Sequence, residues 1–293
     1  MTESFIKYIT YEKRFSKHTI SSYENDLKQF YSFLANEHPD ISLTEISHGI
    51  IRQWVVHLAE SGILNRTVNR KITSIKSYFK FLLNRGFIEE NPTTRIHILK
   101  TPKSLPDFIK LGEMDDLLSS DHFTDDFTGK RDMVIFELLY GTGIRLSELI
   151  HLKEADVDFT GNQIKVLGKR NKERIIPITL HLRSLLKTYV EQKNSHLGSN
   201  ASQYLIVTIL GKQSYPMMIY RIVNQYLTLH THVDKKSPHI LRHTYATHLL
   251  DKGAELAAVK DLLGHQSLAA TQIYTHNSLG KLKKVFEQAH PKA

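Results

Sequence analysis

A mainly helical chain of two domains, with one small β element, is what this sequence predicts, and three observations carry it. Apolar residues recur at three- and four-residue spacing through the first hundred positions. Gln163-Ile164-Lys165-Val166 and Arg174-Ile175-Ile176-Pro177-Ile178 are short β-branched runs that read as strands. Pro102 and Pro106 bracket Lys103-Ser104-Leu105, a linker signal that separates residues 1–103 from 104–293. With 293 residues the chain is long enough for two separate cores.

Taken in order, a first helix is expected from about Glu3 to Arg14. Ser16 then caps a second helix, which carries Ile20, Tyr23, Leu27, Phe30 and Leu34. His38-Pro39-Asp40 breaks it, and a third helix is expected from about Glu45 to Ser61, ending at Gly62. The fourth, from about Asn65 to Asn84, has Val68, Ile72, Ile75, Phe79 and Leu82 as its apolar stripe. Arg66, Arg70, Lys76 and Lys80 lie off that stripe and give the helix a basic surface. Gly86 ends it, and Asn91-Pro92 begins an irregular stretch leading to the linker.

The second domain is expected to open near Leu111, with a helix over Arg131–Tyr140 closed by Gly141-Thr142-Gly143. The two β-branched runs flank Gly168 to Lys172 and read as a hairpin. Helices resume over Leu180–Glu191, Met217–Leu229 and Leu241–Leu250. No internal repeat and no low-complexity segment interrupts this pattern.

Composition narrows the function classes. The formal charge is +9 and is spread over both halves, +5 in residues 1–103 (15 Lys+Arg against 10 Asp+Glu) and +4 in 104–293 (24 against 20). That favours a polyanionic partner touched by both domains. The chain has no cysteine, which excludes disulfides, thiol nucleophiles and Cys-rich zinc sites. No apolar run approaches the roughly 20 residues that a membrane span needs, and no signal-peptide core opens the sequence. A soluble cytoplasmic protein without a membrane partner is expected.

The residues that carry chemistry fall in three segments. Gly141-Thr142-Gly143-Ile144-Arg145-Leu146-Ser147-Glu148-Leu149 places an arginine just beyond a glycine-freed helix end, with Glu148 three residues on to orient it. Gly168-Lys169-Arg170-Asn171-Lys172 sets lysines on the hairpin tip. Then come Pro238-His239-Ile240-Leu241-Arg242-His243, Leu263-Gly264-His265 and Gln272-Ile273-Tyr274, which bring three imidazoles, a guanidinium and a phenol into one stretch. Guanidinium groups stay charged and grip phosphate oxygens in a fork, imidazoles move protons near neutrality, and a phenolate is both nucleophile and leaving group.

In this order the segments resemble the tyrosine site-specific recombinases (the phage integrase family), most closely their bacterial Xer branch, along essentially the whole chain. The resemblance implies an N-terminal four-helix SAM-like core-binding domain and a mixed α/β catalytic domain, which together form a C-shaped clamp on DNA. It implies that Tyr274 attacks the scissile phosphate, Arg145 and Arg242 stabilise the transition state, and Lys169 protonates the leaving 5′ oxygen. His239 assists at the phosphate, and His265 holds a position that takes His or Trp in the family. Tyr245, His243, His248 and His276 are expected to be structural. Lys17, Arg66, Arg70, Lys76 and Lys80 are the expected DNA contacts of the first domain.

No metal, ATP or other cofactor is implied. The partners implied are a double-stranded recombination site, a homo- or hetero-tetramer on two sites with or without a paralogous recombinase, and a DNA translocase of the FtsK type. The role implied is chromosome dimer resolution through a Holliday junction, in chromosome partition at cell division. A mobile-element integrase or DNA invertase of the same family, a type IB topoisomerase and a non-catalytic DNA-binding protein on this fold remain alternatives. Integrases commonly carry an extra arm-binding domain, whereas this sequence opens on the core-binding helices. Beyond Tyr274, Leu279, Leu282 and Phe286 form a short apolar stripe that needs a partner surface, either its own domain or, as the resemblance implies and is expected here, a neighbouring protomer.

Overall fold

The computed structural model describes residues 1–102, 107–168, 173–198, 202–264, 286 and 288–291. The chain divides into two compact units, Met1–Ser104 and Leu105–Ala293, each built on its own hydrophobic core.

The first unit contains α1 (Thr2–Lys7, continued by a π turn over Tyr8–Glu12), α2 (Lys17–Glu37), α3 (His48–Glu60) and α4 (Asn65–Asn84). Ser16 caps α2 as expected, its hydroxyl accepting from the Thr19 amide at 3.3 Å. The third helix begins three residues later than expected. Ser42 and Glu45 close their own short turn, with the Ser42 amide donating to the Glu45 carboxylate at 2.9 Å, and the chain restarts only at His48. All five residues of the α4 stripe are buried, packed with Phe5, Phe30, Trp54 and Tyr78. One carboxylate sits inside this core. Asp26 of α2 is 1% exposed and is held from α4 by Arg70, by Lys71 at 3.0 Å and by the Ser74 hydroxyl at 2.7 Å. A buried carboxylate is tolerable only when so paired.

The second unit runs α5 (Leu111–Leu117), α6 (Phe127–Gly141), α7 (Leu146–His151), β1 (Val157–Asp158), β2 (Gln163–Leu167), β3 (Glu173–Pro177), α8 (Leu180–Leu197), α9 (Pro216–His230), α10 (Pro238–Asp251) and α11 (Leu256–Leu263). The expected hairpin is present as β2–β3, with Lys165 opposite Ile175 and Val166 opposite Arg174, and β1 extends it to a three-stranded antiparallel sheet. Helix α6 starts four residues before the expected Arg131, where Asp126 caps it by accepting from the Gly129 amide at 2.8 Å. From Met133 to Gly141 every α6 residue is buried, which makes this helix the axis of the core. Tyr245 is fully buried in α10, and His248 is hydrogen-bonded to the Tyr140 hydroxyl at 2.9 Å, both as expected of structural residues. His243 is half-buried on the same helix. His276 lies outside the described residues.

The last described residues fold back on this unit. Phe286, Ala289 and His290 are buried, His290 Nε2 bonds the Gly141 carbonyl at 2.8 Å, and the Lys252 ammonium donates to the carbonyls of His290 and Pro291 at 3.2 and 3.1 Å. Of the stripe expected to dock on a neighbour, Phe286 is thus covered by its own chain, and Leu279 and Leu282 lie outside the described residues.

Candidate active site

The turn between α6 and α7 builds one wall. Gly143 has φ +60°, and a Cβ on it would meet Tyr245 Cδ1 and Leu263 Cδ2 at 2.6 Å each, so no other residue fits without displacing the core. Arg145 then occupies the N-cap of α7. Its amide donates to Glu148 at 2.7 Å and its guanidinium to the same carboxylate at 2.8 Å, the orienting contact that the sequence spacing suggested.

Glu148 is a hub, 5% exposed. Arg174 of β3 donates two bonds to it, at 2.7 and 2.9 Å. Burial works against its charge, but bonds and charge from Arg174, together with the bonds from Arg145, outweigh burial and hold the carboxyl below its usual range.

The second wall is the C-terminal end of α11, where three successive carbonyls each take an arginine. Leu262 accepts from Arg174 Nε at 3.3 Å, Leu263 from Arg242 Nη2 at 2.6 Å, and Gly264 from Arg145 Nη2 at 2.8 Å. Arg242 also donates to the Gly143 carbonyl. Gly264 closes α11 in the left-handed conformation, φ +64°. The free carbonyls at a helix C-terminus carry partial negative charge, and here they offset guanidinium repulsion at short range.

Three arginines against one glutamate leave a formal excess of two positive charges. Burial, with Arg145 and Arg174 nearby, lowers the Arg242 pKa to about 10, so it remains charged at neutral pH. Arg145 keeps 22% of its side chain exposed and is the open face of the cluster. A preorganised, partly open cationic site of this kind suits a phosphate group, whose oxygens match guanidinium forks.

The structure thus brings together Arg145 and Arg242 of the expected catalytic residues. His239 is exposed in the first turn of α10, one helical turn before Arg242. Lys169, His265 and Tyr274 lie outside the described residues, although in sequence Lys169 follows the outgoing end of β2 and His265 adjoins Gly264. Arg174 is a site residue that sequence reasoning missed. Its signal was strand parity: it is two residues from buried Ile176 and therefore on the core face of β3, where a lone charge needs a partner. Of the expected DNA contacts, Lys17, Arg66 and Lys80 are exposed and Lys76 is half-buried. Arg70 is bound to Asp26, with 43% of its side chain exposed.

Comparison with known proteins settles the family. Residues 108–280 match the phage integrase family, and residues 2–86 match the phage integrase N-terminal SAM-like domain. The chain belongs to the phage integrase family. Tyrosine recombinase XerC of Oceanobacillus iheyensis is 36% identical over 99% of this chain and 96% of its own length. Tyrosine recombinase XerD of Staphylococcus epidermidis is also 36% identical, over 99% and 98%. In fold, the chain is similar to the XerH site-specific recombinase solved with its palindromic difH substrate in a post-cleavage complex. The TM-score is 0.73 at 21% identity, over 97% of this chain and 83% of that one. The chain is therefore a tyrosine recombinase of Xer type, an enzyme, with the mainly helical fold and small sheet expected. Among the described residues no helix is long and apolar enough to cross a membrane.

Proposed function

We propose that this recombinase cleaves and rejoins a specific DNA site through a 3′-phosphotyrosyl bond to Tyr274, and that chromosome dimer resolution is its role. The observation that carries the chemistry is the convergence of Arg145 and Arg242 on the carbonyl end of α11, one residue before His265. The Tyr274 phenolate attacks the scissile phosphorus, and Arg145 and Arg242 neutralise the charge that builds on the nonbridging oxygens. The P–O bond to the 5′ oxygen breaks, and Lys169 supplies that oxygen with its proton. His239 and His265 hold the phosphate and share proton movement. Because the phosphotyrosyl ester preserves the phosphodiester bond energy, religation by the 5′ hydroxyl of the other duplex needs no ATP. The guanidinium charge stands where other phosphoryl transferases use a metal ion.

The N-terminal unit serves as the core-binding domain and the C-terminal unit as the catalytic domain, with Lys17, Arg66, Arg70, Lys76 and Lys80 meeting backbone phosphates. Four protomers, of one kind or shared with a paralogue, act on two sites through a Holliday junction, under a translocase of the FtsK type, in the cytoplasm.

A nicked substrate that traps the covalent intermediate tests the chemistry. Tyr274→Phe is expected to bind the site with wild-type affinity and to give no covalent band on a denaturing gel. A covalent band from that variant removes Tyr274 as the nucleophile. Deletion or inversion between paired sites, without relaxation of site-free plasmid, marks a recombinase rather than a topoisomerase.

A further inference from the structure

Among the described residues, one group of side chains in the second unit has the composition of a metal site. Asp116 lies on α5, His122 ends the short turn Ser120–His122, and His230 is the last residue of α9. The two imidazoles lie against each other in a tilted arrangement, with ring centroids 3.9 Å apart and planes inclined at 36°. An Asp116 oxygen is 3.6 Å from His122 Nε2, and one ligand atom from each residue lies within 4.8 Å of the other two. His122 Nε2 is buried without a hydrogen-bond partner. A buried polar nitrogen left unbonded in a packed protein asks for an explanation, and here it faces a carboxylate and a second imidazole.

We propose that Asp116, His122 and His230 bind a zinc-class divalent ion, with water completing the shell. Two imidazoles and one carboxylate suit Zn²⁺, whereas Mg²⁺ and Ca²⁺ take oxygen shells. Bonds of about 2.0–2.2 Å put neighbouring donors of a tetrahedral Zn²⁺ about 3.4 Å apart. The observed 3.6 Å between Asp116 and His122 is close to that, and side-chain rotation brings His230 in. Two features favour the cation. His230 sits at the carbonyl end of α9, the negative pole of that helix. Asp116 keeps 64% of its side chain exposed, which leaves an entry path from solvent. None of the three ligands belongs to the arginine cluster, so the ion is a staple rather than a participant in the chemistry. It ties α5 and the following turn to the end of α9, eight residues before the start of α10, which carries His239 and Arg242.

The test uses the full chain without a purification tag, stripped with chelator and titrated with zinc chloride in a calorimeter. One tight Zn²⁺ per chain is expected. His122→Gln and His230→Gln are each expected to weaken it by at least tenfold, since loss of even an outer-shell partner costs about 10–100-fold. The same variants should lose the rise in melting temperature that Zn²⁺ gives the wild type, while their far-ultraviolet dichroism without metal matches the wild type. Co²⁺ in place of Zn²⁺ should give visible d–d bands in the wild type and none in the double variant. Equal Zn²⁺ affinity in the wild type and the double variant would place binding among the other histidines and overturn the proposal. Absence of tight binding to the wild type overturns it too.

Discussion

Arg174 is the residue on which sequence and structure differ most. Arg145 and Arg242 could be read from their motifs because a glycine turn and a His-x-x-Arg spacing surround them. Arg174 sits in a β-branched run with no motif around it, and its pairing with Glu148 is what gives it a place in the site. It acts by positioning: it fixes the carboxylate that in turn fixes Arg145. Arg174→Lys keeps the charge, but one ammonium cannot span both Glu148 oxygens and the Leu262 carbonyl. Losing at least one charge-assisted bond of about 1.5–3 kcal/mol should slow single-turnover cleavage by about tenfold or more. Since net charge is unchanged, the salt dependence of DNA binding should stay as in the wild type. Cleavage at the wild-type rate would show that Glu148 holds Arg145 without help from β3.

At the scale of elements, helices and the hairpin were legible because their periodicities differ, and boundaries failed where a side chain capped the backbone unexpectedly, as at Asp126 and Ser42. Short α5 was missed because seven residues give too little periodicity. The α6–α7 turn is where element geometry and chemistry coincide. Gly143→Ala forces a side chain into positive φ and into contact with Tyr245 and with Leu263, whose carbonyl takes Arg242. Backbone strain of about 1 kcal/mol and overpacking of about 1–3 kcal/mol should lower stability together, and cleavage should fall further than stability explains. Thermal melts beside single-turnover rates check this; a normal Tm with normal cleavage would mean that the turn simply relaxes. The α6–α10 contact titrates as well. Burial lowers the His248 pKa below its ordinary 6.5, against weaker opposing effects from the Ile109 backbone, Asp251 and Asp115. Below about pH 6.5 the unfolded chain takes up a proton that the folded chain refuses, so this part of the stability is present above that pH and is lost as pH falls towards the folded value. Melts from pH 7.5 to 5.5 should show a fall that His248→Gln makes shallower, and an equal slope in both proteins would exclude His248 as its source.

For the whole molecule, the chain divides into two compact units, each with its own core. What the sequence could not specify was where the end of the chain goes. An amphipathic stripe says that a helix needs a partner surface but not whose surface. In this single chain, Phe286, Ala289 and His290 are covered by their own catalytic unit, and His290 holds the Gly141 carbonyl at the base of the turn that carries Arg145. The tail therefore supports the site in the lone protein, and docking on a neighbour requires these contacts to be given up. Truncation after Asn277 removes both possibilities, and the two leave different traces. Loss of the contacts within the chain uncovers apolar surface beside Tyr245 and should lower the melting temperature of the free protein by several degrees, at about 2–4 °C per kcal/mol for a unit of this size. Loss of docking between protomers should leave single-site binding intact and abolish the complex of four protomers on two sites, which native gels with paired sites would detect. An unchanged melting temperature would mean that the tail adds nothing to the free chain. Tetramers that still assemble and recombine normally would show that the stripe is only a cover for its own domain.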